Sequence, residues 1–295
     1  MELQLPKYEP SGRFRPTAIV ALIGAIVAGV LVAWVYQALV RWIPLIILKA
    51  FAVVGFGFAV GMLSMMTVSI GHVRNRMVGA LLGVLVATGS LVGSYGWAYM
   101  GAVNERVEES AGYTREDVLA QYSFQQYVAE RVEDGWNVGK VARSSSLPLN
   151  GGVVYVIWGI EALLMLGAGV LMAYGSSDAP FCEDCKQWTK ETTKKVLGRT
   201  RDEVMSLLQS NQLGHLIALE PPENADPKQW ITLKAHACPN CSRTYLSVSE
   251  SKETTGKDGK AEVSSNSIAE HLELAQRQAT ELRAQVSGQA ERKAA

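Results

Sequence analysis

The sequence predicts an all-α membrane domain of four transmembrane helices joined to a small α+β zinc-ribbon-like domain. Three observations carry this reading. The apolar residues of the 295-residue chain are gathered into four blocks instead of being spaced as in a soluble core. Each block exceeds the roughly 20 helical residues needed to bridge a hydrocarbon layer of about 30 Å. All four cysteines follow the last block, as two C-x-x-C pairs.

The blocks are residues 17–40, 44–70, 77–99 and 151–174. The first follows a short polar stretch, 1–16, and shows no small-residue cleavage site, so it reads as a retained helix. Only Arg41-Trp42-Ile43 separates it from the second block, which Pro44 opens. That spacing demands a tight hairpin with Trp42 at the membrane interface. A second short turn, Gly71 to Arg76, carries two arginines.

The third connection, residues 100–150, is long and acidic and forms a small extramembrane segment. Thr114 is its helix N-cap, with Glu116 and Asp117 in the first turn. The helix runs over 115–133 and Gly135-Trp136 stops it. The acidic residues here read as solvated charges.

Lys and Arg resist translocation, so their placement sets orientation. Lys7, Arg13, Arg15, Arg74 and Arg76 mark one side against Arg41 and Lys49 on the other. Both termini are therefore expected in the cytoplasm, with 100–150 outside.

That orientation puts the cysteines in a reducing compartment, where thiols bind metal more readily than they form disulfides. Cys182, Cys185, Cys238 and Cys241 supply four soft ligands for one tetrahedral Zn2+. With no open coordination position, such a zinc is structural and does not activate water. The alternative is a pair of redox dithiols, and His215 or His236 could replace a sulfur ligand. Some fifty residues part the two knuckles, longer than in a compact ribbon, so this insertion needs its own substructure. Thr200 to Leu208 reads as a helix, and Leu213–Leu219 and Trp230–Leu233 as short apolar pieces. Gly256 to Gly259 reads as a hairpin turn within the domain 175–266. The tail, 267–295, is expected to be helical to about residue 286, with an apolar stripe from Ile268 to Leu282, and then disordered.

Glu161 is the one acidic residue inside any apolar block. Its insertion costs roughly 2.5 to 3.5 kcal/mol unless it is paired, protonated or wet. Lys49 enters from the same face, so a Lys49–Glu161 pair between the second and fourth helices is expected, fixing packing or serving an ion relay. The glycine pairs Gly57/Gly61, Gly79/Gly83 and Gly89/Gly93 permit close helix approach.

A basic run, Lys186, Lys190, Lys194, Lys195, Arg199 and Arg201, suits contact with lipid headgroups or phosphates, or a solvated helix face. Formal net charge is zero, which argues against nucleic acid as the partner. No nucleotide loop, Ser-His-Asp set or paired acid and base appears, so no enzyme is expected.

The Arg41-Trp42-Ile43-Pro44 turn, the Gly71-His72-Val73-Arg74-Asn75 loop, Gly135-Trp136, Trp158 to Glu161 and the late cysteine knuckles together resemble uncharacterised bacterial multi-pass inner-membrane proteins. The resemblance implies a location and no activity. Two functions fit these residues. One is a membrane-anchored zinc-ribbon scaffold that recruits a protein partner to the cytoplasmic face. The other is a small transporter or channel component using Glu161, which four helices alone would enclose poorly and which therefore calls for a homo-oligomer.

Overall fold

The protein is described from a computed structural model. It describes residues 6–43, 46–110, 112–138, 147–210, 212, 226–255, 260–280 and 282. The chain divides into a helical unit, Gly12–Asp178, and a second unit built from Met1–Ser11 and Ala179–Ala295.

Four helices of the first unit are long and apolar enough to cross a membrane: α1 (Thr17–Trp42), α2 (Ile46–Gly71), α3 (Arg76–Glu109) and, after the connection described below, α6 (Gly152–Ser176). They mark the chain as a membrane protein. Ile19, Val20, Leu31, Phe51 and Leu163 point outward from the bundle. Such side chains would be a liability in water and are at home against acyl chains. Inward, Ala33, Phe56, Val60, Val86, Ala87 and Met165 form the bundle core.

Each glycine of the three G-x-x-x-G pairs lies where another helix passes. The tightest approach to another backbone is between α3 and α6, where a Cβ on Gly83 would stand 2.4 Å from the Gly169 carbonyl oxygen.

Helix α3 runs ten residues past the end of its expected block, to Glu109. At 1.5 Å per residue its 34 residues span about 51 Å, well beyond the hydrocarbon layer. The extension serves as a post for the segment that follows. The single helix expected over 115–133 is two, α4 (Arg115–Gln121) and α5 (Phe124–Asp134). Ser123 breaks it by capping α5, forming a box with Gln126. Val118, Tyr122 and Tyr127 then pack on Val103. Glu130 is not merely solvated: it pairs with Arg106 and accepts the Tyr122 hydroxyl at 2.7 Å. A short hairpin, β1 (Trp136–Val138) with β2 (Leu147–Leu149), leads into α6.

The second unit opens with a small hairpin, β3 (Phe181–Cys182) and β4 (Gln187–Trp188). A four-stranded antiparallel meander follows, β5 (Lys190–Leu197), β6 (Gln229–Ala237), β7 (Thr244–Thr255) and β8 (Ala261–Glu273). The helix α7 (Arg201–Gln209), capped by Thr200 as its sequence predicts, lies between β5 and β6 in the chain. Ile231, Leu233 and Ala235 alternate along β6 to one face, where they meet Val204 and Leu208 of α7, Leu246 and Val248 of β7, and Leu272. The expected Gly256–Gly259 turn and the Leu213–Leu219 piece lie outside the described residues, although β7 and β8 pair as a hairpin requires.

The tail is not helical from residue 267. Residues 261–273 are a strand, and a helical turn begins only at Gln276. The N-terminal segment also belongs to this sheet: Lys7 bridges Leu272, the Tyr8 N–H donates to His271 O, and the Glu273 N–H donates to Pro6 O.

Candidate metal centre

The two C-x-x-C pairs sit in the tight connections of two hairpins. Cys182 closes β3, and Cys185 lies in the turn before β4, where Lys186 adopts φ of 53° to reverse the chain. Cys238 and Cys241 occupy the β6–β7 turn, which is closed by the Cys238 N–H donating to Arg243 O at 2.9 Å. Sheet pairing carries the β6–β7 turn back to the β3–β4 turn despite the long insertion.

The four Sγ atoms lie within 4.8 Å of one another. Cys182 Sγ and Cys241 Sγ, from different knuckles, are 3.6 Å apart, far from the bonded distance of a disulfide. Cys182 and Cys238 are fully buried, whereas Cys185 and Cys241 face partly outward. Soft donors converging from two loops, with no disulfide, fit a metal ion.

Local electrostatics separate the thiols. Burial pushes Cys182 up, and the neighbouring thiols, Cys241 foremost, push Cys185 up to about 12. Burial opposes ionisation of Cys238 too, but hydrogen bonds from the Asn240 backbone, from Gln187 and from Cys241 outweigh it and bring this thiol down to about 6.

The surroundings hold the loops in place. Gln187 Nε2 donates to Cys238 Sγ at 3.5 Å, reaching from one knuckle to the other. Arg243 pairs with Asp184 of the first knuckle at 2.9 Å and with Glu273 of β8 at 3.4 Å. Phe181 and Trp188 pack edge to face, and Tyr8 packs with Tyr245 beside them. Of these supporting residues only Asp184 lies inside a C-x-x-C pair, and sequence reading missed the role of each. His236 is not in the cluster; it packs edge-on to His271 at 5.2 Å between centroids. His215 lies outside the described residues.

The basic run is not a helix face. Lys190, Lys194 and Lys195 belong to strand β5, whose alternation puts Lys195 opposite the other two. Lys195 stands over the Trp230 ring at 4.4 Å, and Arg199 pairs with Glu203. Lys186 is in the knuckle and Arg201 starts α7. The six cations therefore do not form one patch.

The expected Lys49–Glu161 pair is corrected in the helical unit. Glu161 accepts the hydroxyl of Tyr36 at 2.6 Å, and no ion pair joins it to Lys49 among the described residues. Both side chains line one cavity of about 390 Å³. The reason is competition along α1: Tyr36, stacked on Phe56 at 4.7 Å, is already aimed at the carboxylate.

Fold and site together define a membrane protein of four apolar helices bearing a β-sheet module whose clustered cysteines can hold a metal ion. No protein-family model, curated protein or solved structure matches the chain.

Proposed function

We propose that the protein is a membrane-anchored zinc-ribbon module that presents a rigid surface to a protein partner at the cytoplasmic face of a bacterial inner membrane. The observation that carries this reading is the convergence of four thiols from two hairpin turns. A zinc tetrahedron with Zn–S of about 2.3 Å has edges of about 3.8 Å, and the Cys182–Cys241 separation of 3.6 Å is close to that edge. Four thiolates fill the shell of zinc, so the ion's role here is to lock the two hairpins, leaving the sheet surface for recognition. The excess of basic residues beside the termini supports the cytoplasmic placement.

The test has two readouts on the full-length protein. Elemental analysis should find about one zinc per chain, lost in a Cys182→Ser, Cys238→Ser variant. Crosslinking in cells, read by mass spectrometry, should capture a defined partner set that the variant loses while it still inserts in the membrane. Absence of zinc with titratable cysteines would return the dithiol reading; an unchanged partner set would sink the scaffold role.

A second reading, a transporter or channel component using Glu161, has the cavity beside that carboxylate in its favour. It fails if Glu161→Gln leaves proton or ion flux in proteoliposomes unchanged, or if the wild-type protein carries none.

A further inference from the structure

The cavity of the helical unit carries a recognition pattern of its own, independent of the scaffold reading. At about 390 Å³ it falls within the size range of small-molecule sites. Most of its wall is apolar, as expected inside a bilayer, but its few polar groups are sorted by position. Glu161 stands nine residues into α6, and Tyr36, Tyr95 and Trp158 line the cavity with it. Tyr95 and Trp158 meet edge to face at 5.9 Å, and Tyr36 is held by Phe56 on one side and by its hydrogen bond to Glu161. Lys49 is only three residues into α2, and Arg131 comes from α5, outside the spanning helices.

Helices α2 and α6 begin at the same end of the bundle. Gly57 of α2 lies beside Leu164 and Met165 of α6, which puts Lys49 level with about residue 157 and Glu161 about 6 to 7 Å deeper along the axis. A carboxylate among aromatic rings is the chemistry that holds an ammonium, by charge and by cation–π attraction. Two cations nearer the end of the bundle hold an anion. A bare cation would be repelled on entry by Lys49 and Arg131, and a bare anion would leave Glu161 as a costly carboxylate with one hydroxyl donor. A ligand carrying both charges satisfies both ends. Both ends lie in one cavity, so a compact zwitterion whose ammonium and phosphate are joined by a short link, such as two carbons, reaches both.

We infer that this cavity binds an ammonium–phosphate zwitterion, with the ammonium at Glu161 and the phosphate at Lys49 and Arg131. Such a group is found as the headgroup of a zwitterionic phospholipid or as free phosphoethanolamine.

The full-length protein, purified in a non-ionic detergent, is offered phosphatidylethanolamine or phosphatidylglycerol of matched chains, and retained lipid is read by native mass spectrometry. Wild type should retain the zwitterionic lipid over the anionic one by about tenfold or more, the size of one lost charge contact. Glu161→Gln, nearly isosteric and still able to accept from Tyr36, should erase that preference with zinc content and helicity unchanged. Lys49→Met should weaken both lipids and keeps the test open if the first variant does not fold. An excess of free phosphoethanolamine that displaces the lipid identifies a soluble source, and retention of the lipid identifies the headgroup. Equal retention of both lipids by wild type, or a preference that survives Glu161→Gln, overturns the inference.

Discussion

Gln187 is the side chain whose removal discriminates best between a metal site and four adjacent thiols. Its amide N–H reaches Cys238 Sγ from the opposite knuckle, and Cys238 is buried with no solvent to replace the donor. Losing one such outer contact lowers metal affinity by about 10–100-fold in known sites. Gln187→Leu should do so here in competition with a chromophoric chelator, with the sheet intact by circular dichroism. Unchanged affinity would make the contact incidental. The candidate ligands were legible, since paired C-x-x-C motifs announce the chemistry they can carry. Gln187 and Arg243 were not, because their roles depend on which turns the sheet brings together. Tyr36 was hidden for a related reason: a tyrosine in an apolar run looks like an interfacial anchor until the facing helix is known.

Among the described glycines, Gly83 of α3 makes the closest approach to another backbone, so α3 is sensitive there. A Cβ on Gly83 would meet backbone atoms of Gly169 and Val170, which cannot rotate away, whereas one on Gly96 meets nothing within 4 Å. Gly83→Ala should cost about 1–3 kcal/mol through overpacking. Gly96→Ala should be neutral or slightly favourable by helix propensity. Thermal unfolding of the two variants in detergent checks the contrast, and equal midpoints would mean that α3 and α6 do not approach as described.

The α4–α5 cap gives a pH dependence. Burial raises the Glu130 carboxyl, but hydrogen bonds from Tyr122 and Arg106, with the charge of Arg106, outweigh it and hold the group below the ordinary carboxylate value. A depressed carboxyl stabilises the fold above its unfolded pKa and loses that contribution as pH falls through its folded value. Amides of 115–134 should lose protection, relative to intrinsic exchange, between about pH 7 and about pH 3. Glu130→Gln should abolish that change. Protection that falls equally in both would assign it to other groups.

Strand β8 shows why one element was misread. Ala269 pairs with Val248 and Leu272 with Leu246, so three steps on β8 match two on β7. The extra residue is accommodated near His271, at φ of 50°. The bulge spaces buried residues three apart, which imitates a helical stripe. The four spans had no such ambiguity, because length and hydropathy alone decide them.

For the molecule as a whole, sidedness is the feature on which location and partner both depend. Four crossings return the chain to its starting side, and the pairing of Pro6–Tyr8 with β8 requires the same, since a strand cannot be shared across a bilayer. This agreement rests on backbone hydrogen bonds as well as on counting spans, and the basic residues from which the orientation is expected play no part in it. A protease recognition sequence inserted between Gly112 and Tyr113, ahead of the α4 cap, should be cut when protease is added to intact spheroplasts. The same sequence appended after Ala295, or inserted after Gly12, should be cut only once the membrane is opened. Cleavage of both terminal sites in intact spheroplasts would reverse the orientation while preserving their common side. Cleavage of only one of them would break the shared sheet and the four-span reading together.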